Sequence, residues 1–105
     1  MGIAGTAFVL SAGINMTVKV KVSSLLRKHT NWQEFVEVEG NTPLESLHAL
    51  EKQFPAVKRL LYDKQGKLRP QFWFFVNGQK INASELTNPL RDGDELMILL
   101  AISGG

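Results

Sequence analysis

The run Leu96-Met97-Ile98-Leu99-Leu100-Ala101-Ile102 constrains the fold more tightly than any other segment of this chain. Asp92-Gly93 turns the backbone into it, and from Asp94 to Ile102 its apolar residues are nearly continuous, the pattern of a central strand rather than a half-solvated one. The rest of the chain must therefore supply strands on both sides of it and something to cover it. With 105 residues and 44% hydrophobic content, the chain can bury one core without disulfides or metals, and a second domain would not fit. Because cysteine is absent, there is no thiol nucleophile, no disulfide framework and no cysteine-based zinc site. That composition is compatible with the cytoplasm, and any sulfur chemistry must use sulfur brought from elsewhere.

The partners of that strand can be read in order. Thr17-Val18-Lys19-Val20-Lys21-Val22 alternates polar and apolar residues, as a half-buried strand does. Gln33 to Glu39 alternates in the same way and is broken by Gly40-Asn41. A helix then begins: Thr42 is placed to cap it, Pro43 suits its first position, and Glu45 completes a Thr-x-x-Glu capping box. Leu44, Leu47, Leu50 and Phe54 recur on one helical face, and Pro55 limits the helix. Ala56 to Tyr62 suggests a short helical turn and Gln65-Gly66 a tight turn. Gln71 to Val76 is an aromatic-rich strand, and Asn77-Gly78 accepts the positive φ angles of a hairpin that returns Gln79-Lys80-Ile81 antiparallel. The order strand, strand, helix, strand, short strand, strand predicts an α+β fold, a mixed sheet packed on one main helix.

Residues 1–15 stand apart as an N-terminal extension, expected to be loosely ordered, with an extra edge strand as the competing reading. The apolar stretch Ala7-Phe8-Val9-Leu10 has no Lys or Arg before it, which argues against a secretory signal. It is also far shorter than the ~20 apolar residues of a membrane span. Twelve Lys and Arg nearly balance ten Asp and Glu, so no clustered basic face for nucleic acid is implied. Trp32, Phe72, Trp73, Phe74 and Phe75 beside basic residues leave base stacking only as a distant alternative. His29 and His48 lack metal-site spacing, so no metal is expected. Asp92 and Asp94 flank Gly93 as turn formers rather than as a catalytic acid pair, and Glu34, Glu37 and Glu39 read as a solvated strand edge or face. No residue is assigned a catalytic role.

The sequence closes on Ser103-Gly104-Gly105. Glycine has no Cβ and enters backbone conformations closed to other residues, so a glycine pair can thread a narrow enzyme cleft and present its carboxylate there. With no side chain to bury, the tail is expected to move freely until a partner orders it.

The strand order, the Asn77-Gly78 hairpin, Pro89-Leu90-Arg91-Asp92-Gly93-Asp94-Glu95 and Gly104-Gly105 together resemble the ubiquitin-like sulfur carrier proteins of the ThiS and MoaD type, over residues 16–105. Leu26-Arg27-Lys28-His29-Thr30 and Gly66-Lys67-Leu68 look most similar to the member that supplies sulfur for cysteine biosynthesis. One departure is Leu100-Ala101-Ile102-Ser103, where several members have a proline. The resemblance implies a β-grasp domain that is a carrier and not an enzyme. An adenylating partner would use ATP to activate the Gly105 carboxylate, and a sulfur donor would displace AMP to leave a thiocarboxylate. No permanently bound cofactor is implied. The partners would be that enzyme and a sulfur-using enzyme, such as a cysteine synthase or the large subunit of molybdopterin synthase. Two alternatives share the fold and tail: the small subunit of molybdopterin synthase, and a ubiquitin-like modifier joined to lysines through Gly105.

Strand alternation separates Phe72, Phe74 and Val76 from Trp73 and Phe75, and Leu96, Ile98 and Leu100 from Met97 and Leu99. The resemblance assigns the even-numbered sets to the helix side. Trp73, Phe75, Met97 and Leu99 are then expected to form an apolar partner-binding patch on the open face, near the strand that delivers the tail.

Overall fold

The computed structural model describes residues 16–101. The expected extension at 1–15 and the tail from Ile102, including Ser103, Gly104 and Gly105, lie outside the described residues. Among the described residues five strands form one mixed sheet: β1 (Thr17–Val22), β2 (Phe35–Glu39), β3 (Phe72–Val76), β4 (Gln79–Ile81) and β5 (Glu95–Leu100), in the order β2-β1-β5-β3-β4. The most apolar strand, β5, occupies the centre, parallel to β1 on one side and antiparallel to β3 on the other. The two outer pairs, β1 with β2 and β3 with β4, are antiparallel.

Helix α1 (Pro43–Gln53) begins as its capping residues dictate. Thr42 Oγ1 accepts the Glu45 N–H at 3.1 Å, while the Glu45 carboxylate reaches back past Thr42 to accept the Asn41 N–H at 2.8 Å. Gly40 has to be glycine because a Cβ there would sit 2.7 Å from Ser46 Oγ, against the first turn of the helix. The helix lays Leu47 and Leu50 into the core, with Leu44 and Phe54 packed at its margin. Ser46 and Glu51 are also buried on this helix, which the apolar stripe did not announce. The predicted short turn is a second helix, α2 (Pro55–Leu61), which contributes Val57 and Leu61.

The core lies on one side of the sheet. Val18, Val20 and Val22 from β1, Val36 and Val38 from β2, Phe72 and Phe74 from β3, and Leu96 and Ile98 from β5 all point toward the helices. Burial of each such side chain contributes about 1.5–3 kcal/mol before conformational entropy is set against it. Two short 3-10 turns, Ser24–His29 and Ala83–Glu85, fill connections in which the sequence shows no periodicity. The first carries Leu26 into the core, and Leu86, just after the second, does the same. The second is closed by a reciprocal pair: Asn82 accepts from Ser84 N–H and Glu85 accepts from Asn82 N–H.

The end of the sheet at which β5 begins is tied by polar turns. Asn77 and Gly78 both have positive φ, 49° and 86°, the geometry of a two-residue hairpin. Asp92 and Asp94 act as turn formers. Asp92 Oδ1 accepts the Thr17 N–H at 2.9 Å, and Asp94 accepts from the Arg91 N–H at 2.8 Å and from Asn77 Nδ2 at 3.0 Å. Those bonds, from the Arg91 backbone first and the Asn77 amide second, hold the Asp94 carboxyl below its ordinary 3.8. Gly93 between them sits at φ +87°, where a side chain would be strained.

Candidate functional site

The register of the sheet builds the open face row by row. Pairings place Phe35, Lys21, Met97, Phe75 and Lys80 in a single row across all five strands. One step toward the β5 C-terminus, Trp73 pairs with Leu99. One step the other way, Glu37, Lys19 and Glu95 form a charged row. The open face is therefore apolar toward the end where β5 finishes and charged toward the end where it starts.

Phe72 and Phe74 are buried against the helix side, while Trp73 is 40% exposed and Phe75, Met97 and Leu99 are half-buried outside the core. The structure thus brings Trp73, Phe75, Met97 and Leu99 together on two adjacent strands. Burial of Phe72 and Phe74 also removes two rings from the base-stacking alternative.

Lysines border this patch. Lys80 Nζ lies 3.8 Å from the centroid of the Trp73 ring, and Lys19 and Lys21 stand 5.3 and 5.8 Å from that of Phe35. Each is within reach of the ring quadrupole. At the surface such contacts are weak.

The sheet also fixes where the tail leaves. The Ala101 N–H donates to the Gln71 carbonyl at 2.7 Å, which keeps the chain in register one residue beyond β5. Because β1 runs parallel to β5, the segment after Val22 emerges at the same end, and Ser23 N–H donates to the Ile98 carbonyl at 3.1 Å. That segment carries Leu25, and the approach to β2 carries Trp32.

Trp32 is 73% exposed, and both it and Asn31 have positive φ, 63° and 56°. This conformation is common for asparagine and costly for a bulky residue, on the order of 1 kcal/mol or more. Buried polar contacts hold it. Arg27 O accepts the Trp32 N–H at 2.7 Å and the Thr30 N–H at 3.0 Å, and the fully buried Thr30 donates through Oγ1 to Gln33 O at 2.9 Å. Arg27 in turn donates from Nε to Val22 O at 3.0 Å and pairs with Glu34 at 3.5 Å.

Phe35, Lys21, Lys80 and Leu25 belong to this surface and were not singled out from the sequence. Alternation with the buried Val36 would have marked Phe35 as facing outward. On the helix side, His48 is exposed and Glu51 and Tyr62 lie against each other, where burial first and the neighbouring Glu51 second push the Tyr62 hydroxyl far up from its ordinary value. Among the described residues no three His, Asp or Glu side chains converge as metal ligands, and no helix is long and apolar enough to cross a membrane.

Comparisons with known proteins place this arrangement. Residues 20–105 match the ThiS family. The sulfur carrier protein CysO of Mycobacterium tuberculosis is 32% identical over 93 residues, covering 86% of this chain and all of that protein. Among solved structures, the BexX/CysO complex of Amycolatopsis orientalis superposes with a TM-score of 0.73 at 32% identity, over 84% of this chain and 99% of the matched one. The small archaeal modifier protein 1 of Methanosarcina acetivorans does so with a TM-score of 0.74 at 28% identity, over 87% and 98%. These are the α+β, ubiquitin-like β-grasp proteins that the strand order and the Asp-Gly-Asp turn already resembled, and the chain belongs to the ThiS family.

Proposed function

We propose that this ThiS-family chain is a sulfur carrier whose Gly105 carboxylate is adenylated by a partner enzyme and then converted to a thiocarboxylate. The observation that carries the reading is the family match, which runs through the Gly-Gly pair to residue 105. The chemistry is consistent with the composition. A carboxylate is a poor electrophile; transfer of AMP from ATP, with release of pyrophosphate, supplies a leaving group. Attack by a sulfide equivalent on the acyl carbon expels AMP and leaves sulfur on Gly105. No cysteine of the chain is required, and none is present. The catalysts are the partners, and this chain is what they act on. ATP belongs to the activating partner, which sets the work in the cytoplasm.

The 32% identity to CysO favours cysteine biosynthesis as the destination of the sulfur, with a cysteine synthase as the sulfur-using partner. We place docking of both enzymes on the open face at Trp73, Phe75, Met97 and Leu99. Such a patch, apolar and rimmed by lysines, is the kind of surface that marks a protein partner.

The test is intact-mass analysis after incubation with ATP, a sulfide source and candidate adenylating enzymes of the same organism. One oxygen-to-sulfur exchange confined to Gly105 is the expected result, and it should vanish when Gly105 is deleted. An unchanged mass with every candidate overturns the reading. Similarity to the archaeal modifier favours a second one, conjugation of Gly105 to lysines. A ladder of larger species on an immunoblot against a tagged chain would establish it, and a single band would dismiss it.

A further inference from the structure

Among the described residues, the large hydrophobic side chains left exposed are Leu25, Trp32, Phe35 and Trp73, at 53%, 73%, 43% and 40%. All four lie at one end of the sheet. Phe35 opens β2, Trp73 is the second residue of β3, Leu25 follows the end of β1, and Trp32 leads into β2. With β1 and β5 parallel and their other neighbours antiparallel, that is the end where β5 finishes. The opposite end, built from Asn77-Gly78 and Asp92-Gly93-Asp94, exposes no large hydrophobic side chain among the described residues. So uneven a distribution of apolar exposure marks a surface on which something rests.

The length of the tail says what that is. Four residues follow Ala101 through Gly105, and fully extended they reach about 14 Å. An enzyme that reacts with the Gly105 carboxylate inside its own cleft must therefore press its surface against this end of the sheet. We infer that Leu25 and Trp32 form a collar beside the tail exit that seats the adenylating enzyme, extending its footprint beyond the open-face patch. This rests on the reading of Gly105 as the activated group.

The collar also specifies the chemistry of the seat. Trp32 is not free to fold away, because the Arg27 carbonyl and the buried Thr30 hold its backbone in the left-handed region with the ring in solvent. The segment that carries the ring is thus already ordered before docking, and tryptophan is among the residues enriched as interface anchors. Arg27 and Lys28 stand in the last turn of the 3-10 segment beside it, Lys21 lies within the apolar row and Lys80 ends it. The complementary surface is an apolar hollow for the indole, bordered by Asp and Glu side chains that meet these cations.

The experiment uses the full chain and the enzyme that adenylates it in the mass assay above, followed by ATP–pyrophosphate exchange. Trp32→Gly accepts the local φ without strain, and Leu25→Ser is a second variant in an exposed position. Both should leave the thermal midpoint within a few degrees of wild type and lower kcat/KM for the chain by about tenfold or more, as loss of an anchor residue does. The loss should sit mainly in KM, as expected of residues that hold the enzyme and take no part in the reaction. Asn88→Ala, exposed near the other end, serves as the control and should match wild type. Wild-type exchange with undiminished kcat/KM in both collar variants overturns the collar alone. So does a defect confined to the later sulfur-transfer step, which would assign the collar to the other enzyme. No exchange with the wild type overturns the reading of Gly105, and the collar with it.

Discussion

The two ends of the sheet are built on opposite principles. At one end Asp92, Asp94, Asn77 and Thr17 satisfy each other's polar groups through bonds of 2.9–3.0 Å, and the glycines there take the φ angles that the turns demand. At the other, apolar rings stand in water and the chain continues toward a glycine pair. The first end spends its residues on closing the fold, whereas the second leaves large apolar side chains exposed among the described residues. Polar closure and apolar exposure are thus separated along the strands by about the length of β5, and if the proposed docking holds, mutation can address stability and recognition one at a time.

The apolar end is itself divided between the two faces of the sheet, and the sharpest way to test that division is on β5. Ile98→Asp places a charge in the core and should abolish cooperative thermal unfolding, a loss beyond about 4 kcal/mol. Leu99→Asp, the next residue, should unfold within a few degrees of wild type yet weaken binding of the adenylating enzyme about tenfold or more in calorimetry. Equal collapse of both variants would mean that the open face is as structural as the helix face. Trp73→Glu should behave as Leu99→Asp does.

A smaller effect is expected at the polar end. Gly93→Ala forces a Cβ at φ +87°. It should cost about 1–2 kcal/mol, read as a fall in thermal midpoint of roughly 4–8 °C per kcal/mol. Pyrophosphate exchange below the midpoint should stay unchanged. A parallel loss of exchange would couple the two ends.

Smaller again is the pH dependence of Asp94. Its carboxyl is held below the ordinary 3.8 by hydrogen bonds to the charged form, so its stabilising contribution is present above that value and is lost as the pH falls through the lower folded-state value. Asp94→Asn should therefore lower the thermal midpoint at pH 7 and converge with wild type in strongly acidic solution. A difference that persists there would assign the effect to shape rather than charge. The group is largely solvent-accessible, which keeps the effect modest.

Much of this division is legible in the amino-acid sequence. The Thr42 capping box, the Asn77-Gly78 hairpin, the central placement of β5 and the division of β3 and β5 into two faces all follow from local rules, whereas which face meets the helices follows from the family resemblance. The positive φ of a turn, the first bond of a helix and the alternation of a strand each depend on near neighbours in sequence. What escapes is set by long-range contact. Leu26 lies in a 3-10 turn with no periodic signal, yet it is buried because β1 delivers it under α2. Trp32 carries none of the usual signs of a positive φ, since nothing in Asn31-Trp32 shows that a buried Thr30 will hold the backbone there. Glu51 interrupts the helix stripe as a polar residue, and only the packing of α1 beside Tyr62 accounts for its burial.

The position of β5 has a mechanical consequence. A tail that leaves from an edge strand is held by a single ladder of hydrogen bonds. Here the tail continues a strand with a parallel neighbour on one side and an antiparallel neighbour on the other, so traction along it loads both ladders in shear, with their bonds sharing the force. A pull on the chain beyond Ala101 is therefore resisted by two ladders at once, and the core strand behind it serves as the anchor.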